Sequence, residues 1–249
     1  QSDGSSAALD ALERIANARA ASPVGSSARF RIATHFYEKG DHGAVVTNLE
    51  PLIGRLSGRS ELMDAEFFVA DSYYQLKRYK DAALAFDRFT SNYPGEKRLA
   101  AALFHLGAAR FKLEEHALAA EAFKKVVTEH GSTSYAPVAW FNMALALRRL
   151  GKWDEAAVAM REYIKKYPEE AKSSNAALEL VALYEEHRQF PLAVELLTGL
   201  RDGLAPDDAL RLELTLRLSE VHAASEDEAK SIVELQAAAA SALKTNPNR

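Results

Sequence analysis

Cysteine is absent from the 249 residues, which excludes disulfides and thiol-ligated metals. Glycine and proline are scarce, at 12 and 8 residues, while alanine is plentiful; that balance favours helix. No apolar run approaches the roughly 20 residues needed to span a bilayer, and no signal-peptide pattern opens the chain. Beginning at Gln1, it reads as a mature or trimmed form, and not as a mature bacterial lipoprotein, which would begin with cysteine. Positive charge is not in excess either. Lys and Arg number 31 against 35 Asp and Glu, a net charge of −4, so nothing favours nucleic acid, which needs a concentrated basic surface.

The signatures of catalysis are missing too. No glycine-rich phosphate loop, GxSxG or HExxH occurs. The seven histidines are scattered, and His187 has no second histidine at ligand spacing. The Glu-Glu pairs at 114–115, 169–170 and 185–186 read as solvated helix ends rather than acid/base dyads. The chain is therefore expected to have no catalytic residue, no metal site and no cofactor.

What is present is a repeat. A small residue recurs at Ala33, Ala70, Gly107, Ala144 and Val181, and the step is constant, 107 − 70 = 144 − 107 = 37. Twelve positions later a second small residue recurs at Val45, Ala82, Ala119, Ala156 and Ala193. A large apolar residue follows four later (Leu49, Phe86, Phe123, Met160, Leu197), and another three after that (Leu52, Phe89, Val126, Tyr163, Leu200). An aromatic or histidine precedes each second helix, at His42, Tyr79, His116, Trp153 and Phe190, so His42 and His116 fill an aromatic slot and read as structural. A fixed period of this size means stacked helix pairs. Helices approach closely only where the crossing residues are small, and large residues at i, i+4 and i+7 then fill the space between pairs.

The spacing predicts an all-α solenoid of about five to six helix pairs plus an N-terminal helix. Residues 1–25 form a capping helix or half repeat, started by Ser5 or Ser6 and apolar at Ala8, Leu12 and Ile15. Pro23 and Gly25 break the chain, and Ser26 or Ser27 caps the next helix. Residues 26–201 hold the five repeats. Gly40 and Gly151 sit at the turns within repeats, where a left-handed backbone is needed. Pro137 and Pro191 fall in first turns, Pro94 and Pro168 close repeats, and Pro51 kinks the second helix of the first repeat. Residues 202–249 form an atypical pair in which the period blurs. A helix there opens at Pro206-Asp207-Asp208, and the last one is apolar at Ala229, Ile232, Val233, Ala237, Ala240 and Leu243, before a frayed tail from Lys244.

Small residues at the helix crossing, an aromatic before the second helix and a closing proline resemble the tetratricopeptide repeat, whose usual period is 34. The 37-residue form, with YPGE, HGSTSYAPVAW and KKYP at its joints, is similar to a bacterial subclass. That subclass includes the periplasmic Tol–Pal coordinator protein and the lipoprotein of the outer-membrane β-barrel assembly complex. Two departures stand out: Arg110 replaces a bulky apolar residue, and the coordinator's N-terminal coiled coil is missing. The resemblance implies a right-handed α–α superhelix and a non-catalytic protein–protein scaffold. It implies the bacterial periplasm or cell envelope, with the cytoplasm as alternative, and a role in envelope assembly or a motility or secretion machine.

In such proteins the first helices line a concave groove. Three residues before the small marker stand Phe30, Phe67, Phe104, Phe141 and Leu178; one after it stand Thr34, Asp71, Ala108, Leu145 and Ala182; four after it stand Tyr37, Tyr74, Phe111, Arg148 and Glu185, so the ladder is aromatic at first and then charged at Arg148, Arg149, Glu185 and Glu186. These residues read either as a groove that takes a partner's peptide or helix or as ordinary packing between neighbouring helices. Lys and Asn, which a carboxylate-clamp groove needs, are replaced here by Phe and by Thr, Asp or Ala, so capture of a chaperone's C-terminus is not expected. Further readings are self-association through an array end and a place within a larger protein.

Overall fold

The computed structural model describes residues 3–54, 59–173, 175–205 and 208–245. Among them are fourteen α-helices and one 3-10 turn, and no strand. They divide into two compact units, residues 1–150 and 151–249.

Unit 1 begins with α1 (Asp3–Ala18), α2 (Pro23–Lys39) and α3 (His42–Leu49). The pairs α4 (Arg59–Gln75) with α5 (Tyr79–Asn92) and α6 (Leu99–Lys112) with α7 (His116–Glu129) follow, and α8 (Tyr135–Arg149) ends the unit. Each helix packs on the next, and α2, α4, α6 and α8 also touch in series, so the first helices of the repeats form one layer. Unit 2 holds α9 (Trp153–Lys166), α10 (Pro168–Ser173), α11 (Ala176–Glu186), α12 (Phe190–Asp202), α13 (Ala209–Ala224) and α14 (Glu228–Thr245).

The 37-residue register is the core. Ala33, Ala70, Val45, Ala82, Ala119 and Ala193 are fully buried, as are Leu49, Phe86, Phe89, Phe123, Val126 and Leu197. Gly107 shows why that column must stay small. A Cβ there would lie 2.8 Å from the Phe123 ring, closer than van der Waals contact permits. The turn seven residues past each marker is left-handed in every repeat. Gly40 (φ 76°) and Gly151 (φ 73°) supply it without strain, but Lys77 (61°), Glu114 (61°) and Arg188 (54°) take the same conformation with a Cβ.

Several sequence expectations are corrected. Helix α1 begins at Asp3, ahead of Ser5 and Ser6, and packs through Leu9, Leu12 and Ala16 on Ala28, Ile32 and Phe36, leaving Ala8 and Ile15 exposed. Pro23 does not break the chain but opens α2, because a first-turn residue needs no N–H; Ser22, not Ser26 or Ser27, caps it by accepting from the Gly25 amide at 3.2 Å. Pro51 does not kink a continuing helix. The α-helix stops at Leu49 and tightens into a 3-10 turn over Glu50–Leu52, where proline's missing donor is tolerated. Pro168 starts the short α10, and Asn175 (φ 52°) then separates it from α11, so the fifth repeat's first helix is split. Arg110, the residue out of pattern, finds a partner in Glu115 at 2.5 Å.

The last pair keeps the register with one residue inserted. Buried Ser219 and Ser231 take the two small-marker places, each 38 after Val181 and Ala193, and Glu226 (φ 65°) takes the left-handed turn 38 after Arg188. Residues 206–207, where a helix start was expected, lie outside the described residues, as does 246–249 of the tail. Helix α14 is turned the unexpected way. Ser231 and Ala238 are buried, while Ala229, Ile232, Val233, Ala237 and Ala240 face outward.

Candidate functional site

The aromatic ladders have a structural partner in each repeat. Phe67 is buried, with its ring 6.0 Å from Phe86 and 5.5 Å from Phe89, and Phe104 stands 5.8 Å from Phe123. The residue four past the marker meets the first residue of its own second helix: Tyr37 and His42 at 6.0 Å, Tyr74 and Tyr79 at 5.6 Å, Phe111 and His116 at 5.0 Å. Offsets of −3 and +4 thus lie at the edge where two helices of a pair meet. Phe30 and Phe141 are half-buried, the former stacked 6.4 Å from Phe68. The Thr34 hydroxyl is turned back, donating to the Phe30 carbonyl at 2.9 Å.

The outer face of the layer is one stripe over, at offsets −6, −2, +1 and +5, whose spacing of four, three and four keeps one helix side. On α4 this stripe reads Asp64, Phe68, Asp71, Gln75; on α6, Ala101, His105, Ala108, Lys112; on α8, Val138, Asn142, Leu145, Arg149. Of the residues singled out from sequence, Thr34, Asp71, Ala108, Leu145 and Arg149 stand on it. Phe68, His105 and Val138 were missed; the signal that could have found them was the same period, read about 60° further round each helix.

The α2–α4 side of this face is sealed by its own side chains. The Tyr37 hydroxyl donates to Asp71 at 2.7 Å, and its ring stacks on Phe68 at 4.2 Å. Burial first, and the hydrogen bond to Asp71 second, push the Tyr37 phenol well above its ordinary pKa. Arg98 lies over the rings of Phe67 and Phe68 and pairs with Asp64, while Ser27 donates to Glu61 at 3.2 Å. Phe68 and Asp71 are left only 8% and 7% exposed.

The α6–α8 side is open. Val138 is 48% exposed, Ala108 and Leu145 are half-buried, and Lys112 and Arg149 stand at the surface. His105 lies between the two sides, its ring 5.4 Å from Tyr74 and 6.2 Å from Tyr135; burial lowers its pKa, and Asp71 partly offsets this.

Each unit also has a cleft on its second-helix side. That of unit 1, about 380 Å³, includes Glu50, Tyr73 and Arg88; that of unit 2, about 340 Å³, includes Arg161, Tyr184 and Gly199, each residue 111 further on. In unit 1 the chain covers the tyrosine itself, with the Arg78 guanidinium 4.3 Å over Tyr73 and paired with Asp81 at 2.7 Å. Among the described residues no group of three histidine, aspartate or glutamate side chains could hold a metal, and no helix is long and apolar enough to cross a membrane.

Stacked helical hairpins with small residues at each crossing define a helical-repeat protein. Models of the tetratricopeptide repeat match residues 70–137 and 138–170. Among solved structures, one of MamA from AMB-1 is similar at 16% identity and a TM-score of 0.58, over 74% of this chain and 96% of that one. A second MamA structure is similar at 13% identity and TM-score 0.54, over 76% and 97%. A tetratricopeptide repeat protein from Parabacteroides merdae ATCC 43184 is similar at 14% identity and TM-score 0.52, over 93% and 84%. At these identities the likeness is one of fold. No curated protein sequence matches significantly.

Proposed function

We propose that the chain is a non-catalytic scaffold that binds a segment of another protein on the open half of its first-helix layer. The observation that carries this reading is Val138, an aliphatic side chain 48% exposed in the first turn of α8, with half-buried Ala108 and Leu145 on the same stripe. Tetratricopeptide repeats are in general binding modules without catalytic groups, which fits a chain that lacks them. Tyr74, Phe111 and Phe141 border the site, with Arg148 and Arg149 at its end; Phe30, Thr34, Tyr37, Phe67, Asp71 and Phe104 support it from the packed side. The 37-residue period and its joints support a bacterial envelope or periplasmic setting, in assembly of the envelope or in a motility or secretion machine. A photo-crosslinker placed at Val138 in the source cells tests the site. It should trap a defined partner, and with the crosslinker moved to Ala108 on the same stripe, a Val138→Asp/Leu145→Asp variant should lose that partner while staying folded. An unchanged partner set would refute it. Cell fractionation checks the compartment, and recovery in the cytoplasm would overturn the envelope setting.

A second reading rests on α14, whose exposed Ile232 and Val233 share a face with Ala229 and Ala240. It has that face meet the same face of a second copy. Sedimentation at high concentration should then show a dimer that Ile232→Glu/Val233→Glu abolishes; a monomer throughout would exclude it.

A further inference from the structure

We infer that the open half of the layer takes a segment combining apolar anchors with carboxylates: an acidic amphipathic helix or peptide of a partner protein. This rests on the binding reading above and goes on to the chemistry of what is bound.

The inference comes from how charge is distributed over one face. Where it is sealed the outer stripe carries three acids, Asp64 and Asp71 on α4 and Glu38 on α2, with one cation, Arg31 on α2. Across α6 and α8 it carries no acid. Its ionisable members there are His105, Lys112 and Arg149, in a chain whose net charge is −4. Lys112 and Arg149 are register equivalents, 149 − 112 = 37, so they project from the same place on adjacent helices. Both are exposed.

A cation in the last turn of a helix also complements its dipole, worth a few tenths of a kcal/mol up to about 1. That explains a positive charge at each helix end; it does not explain the absence of any carboxylate along both stripes. Some surface cations are answered by acids within the chain, as Arg78 is by Asp81 and Arg217 by Glu220. Here the acid is left to come from outside.

The aliphatic floor runs along the helices away from the cations and is formed by Ala108, Leu145 and, near the start of α8, Val138, whose side chains have no polar atom. An occupant must therefore bring apolar groups to the centre and carboxylates to one edge. Complementary charge would steer the encounter and set orientation, with the apolar contact supplying most of the affinity.

The test uses the full chain and three fluorescein-labelled 16-residue amphipathic peptides with one leucine seam, their polar positions filled by Glu, Gln or Lys, with a 16-mer oligothymidine as polyanion control. Anisotropy at low salt should show the Glu peptide binding at least ten times more tightly than the Gln peptide, with the Lys peptide weaker still. The preference should fall on raising salt. In Lys112→Glu/Arg149→Glu, whose two sites are exposed, the order should reverse to favour the Lys peptide. Equal binding of all three peptides would overturn the charge inference while leaving the binding face standing. Equal binding of oligothymidine would overturn it in favour of any polyanion. If no peptide binds, and Val138→Asp also leaves partner crosslinking from Ala108 intact, the binding face itself falls and the inference with it.

Discussion

Helices α4 and α8 stand at equivalent places two repeats apart, 144 − 70 = 74 residues, and their inner sides are the same. Ala70 and Ala144 are buried to 0% and 1%. Their outer sides have separated. On α4, Phe68 and Asp71 are covered by Tyr37 and Arg98; on α8, the matching Asn142 and Leu145 are half-buried beside exposed Val138. The period constrains the residues that pack between helices and leaves the outer stripe free. In one half that freedom has gone into hydrogen bonds and ring stacking that fix adjacent helices. In the other it leaves an aliphatic floor with two cations at its edge.

The contrast can be broken most forcefully in the core of the sealed half. Phe67→Ala should cost about 3–5 kcal/mol in urea melts, since its ring fills space against Phe86 and Phe89. Leu145→Ala, on the open side, should stay within about 0.5–1 kcal/mol. Equal losses would mean the two sides are packed alike. The markers come next. Gly107→Ala should cost about 1–3 kcal/mol because Phe123 must move. Its equivalent Ala70 already holds a Cβ, and Gly107→Ala combined with Phe123→Leu should recover part of the loss.

Tyr37→Phe isolates the seal. It leaves the Asp71 carboxylate, buried to 7% exposure, with only the Gln75 amide at 3.4 Å, and about 1–2 kcal/mol should be lost. No loss would mean water replaces the phenol freely. The left-handed turns predict a gain. Lys77→Gly and Glu114→Gly should each stabilise by roughly 0.5–1 kcal/mol, one in each half, whereas Gly151→Ala should destabilise. If both glycines weaken the fold, the entropy of the unfolded chain outweighs the relieved strain.

The smallest effect is one of pH. His105 has a lower pKa folded than unfolded, mainly through burial. As pH falls below the ordinary histidine value of about 6.5, the unfolded chain takes up a proton that the folded chain refuses. Stability is therefore full above that range, falls through it, and levels off below the folded value. His105→Gln should flatten that part of the stability curve. A slope unchanged in the variant would assign it to another group.

Much of this was legible in the residues. The period located the buried columns from Ala33 to Leu197, and with them the helix pairs, because the packing that makes a repeat leaves a mark at every turn. The glycines at 40 and 151 marked the left-handed turn, yet Lys77, Glu114 and Arg188 adopt it without any local sign; only their place in the register betrays them. The prolines misled for a related reason. Pro23, Pro51 and Pro168 say where an N–H is missing, not whether a helix is starting there, ending or tightening.

The binding face was the least legible part. Aromatic residues drew attention at offsets −3 and +4, and the structure shows Tyr37, Phe67, Tyr74, Phe104 and Phe111 meeting their own repeat's second helix, while Phe30 stacks on Phe68 of the next repeat. On the open stripe, Ala108 and Leu145 were legible as the residues one past the marker, but Val138 looks like any core aliphatic in a helical chain. Sequence alone determined the repeat, its step and its buried columns, because close helix packing admits few residue types. Which face stayed uncovered was decided by tertiary structure. Exposure depends on what a neighbouring helix places over a side chain, as Tyr37 does for Asp71, and that neighbour lies a whole repeat away along the chain.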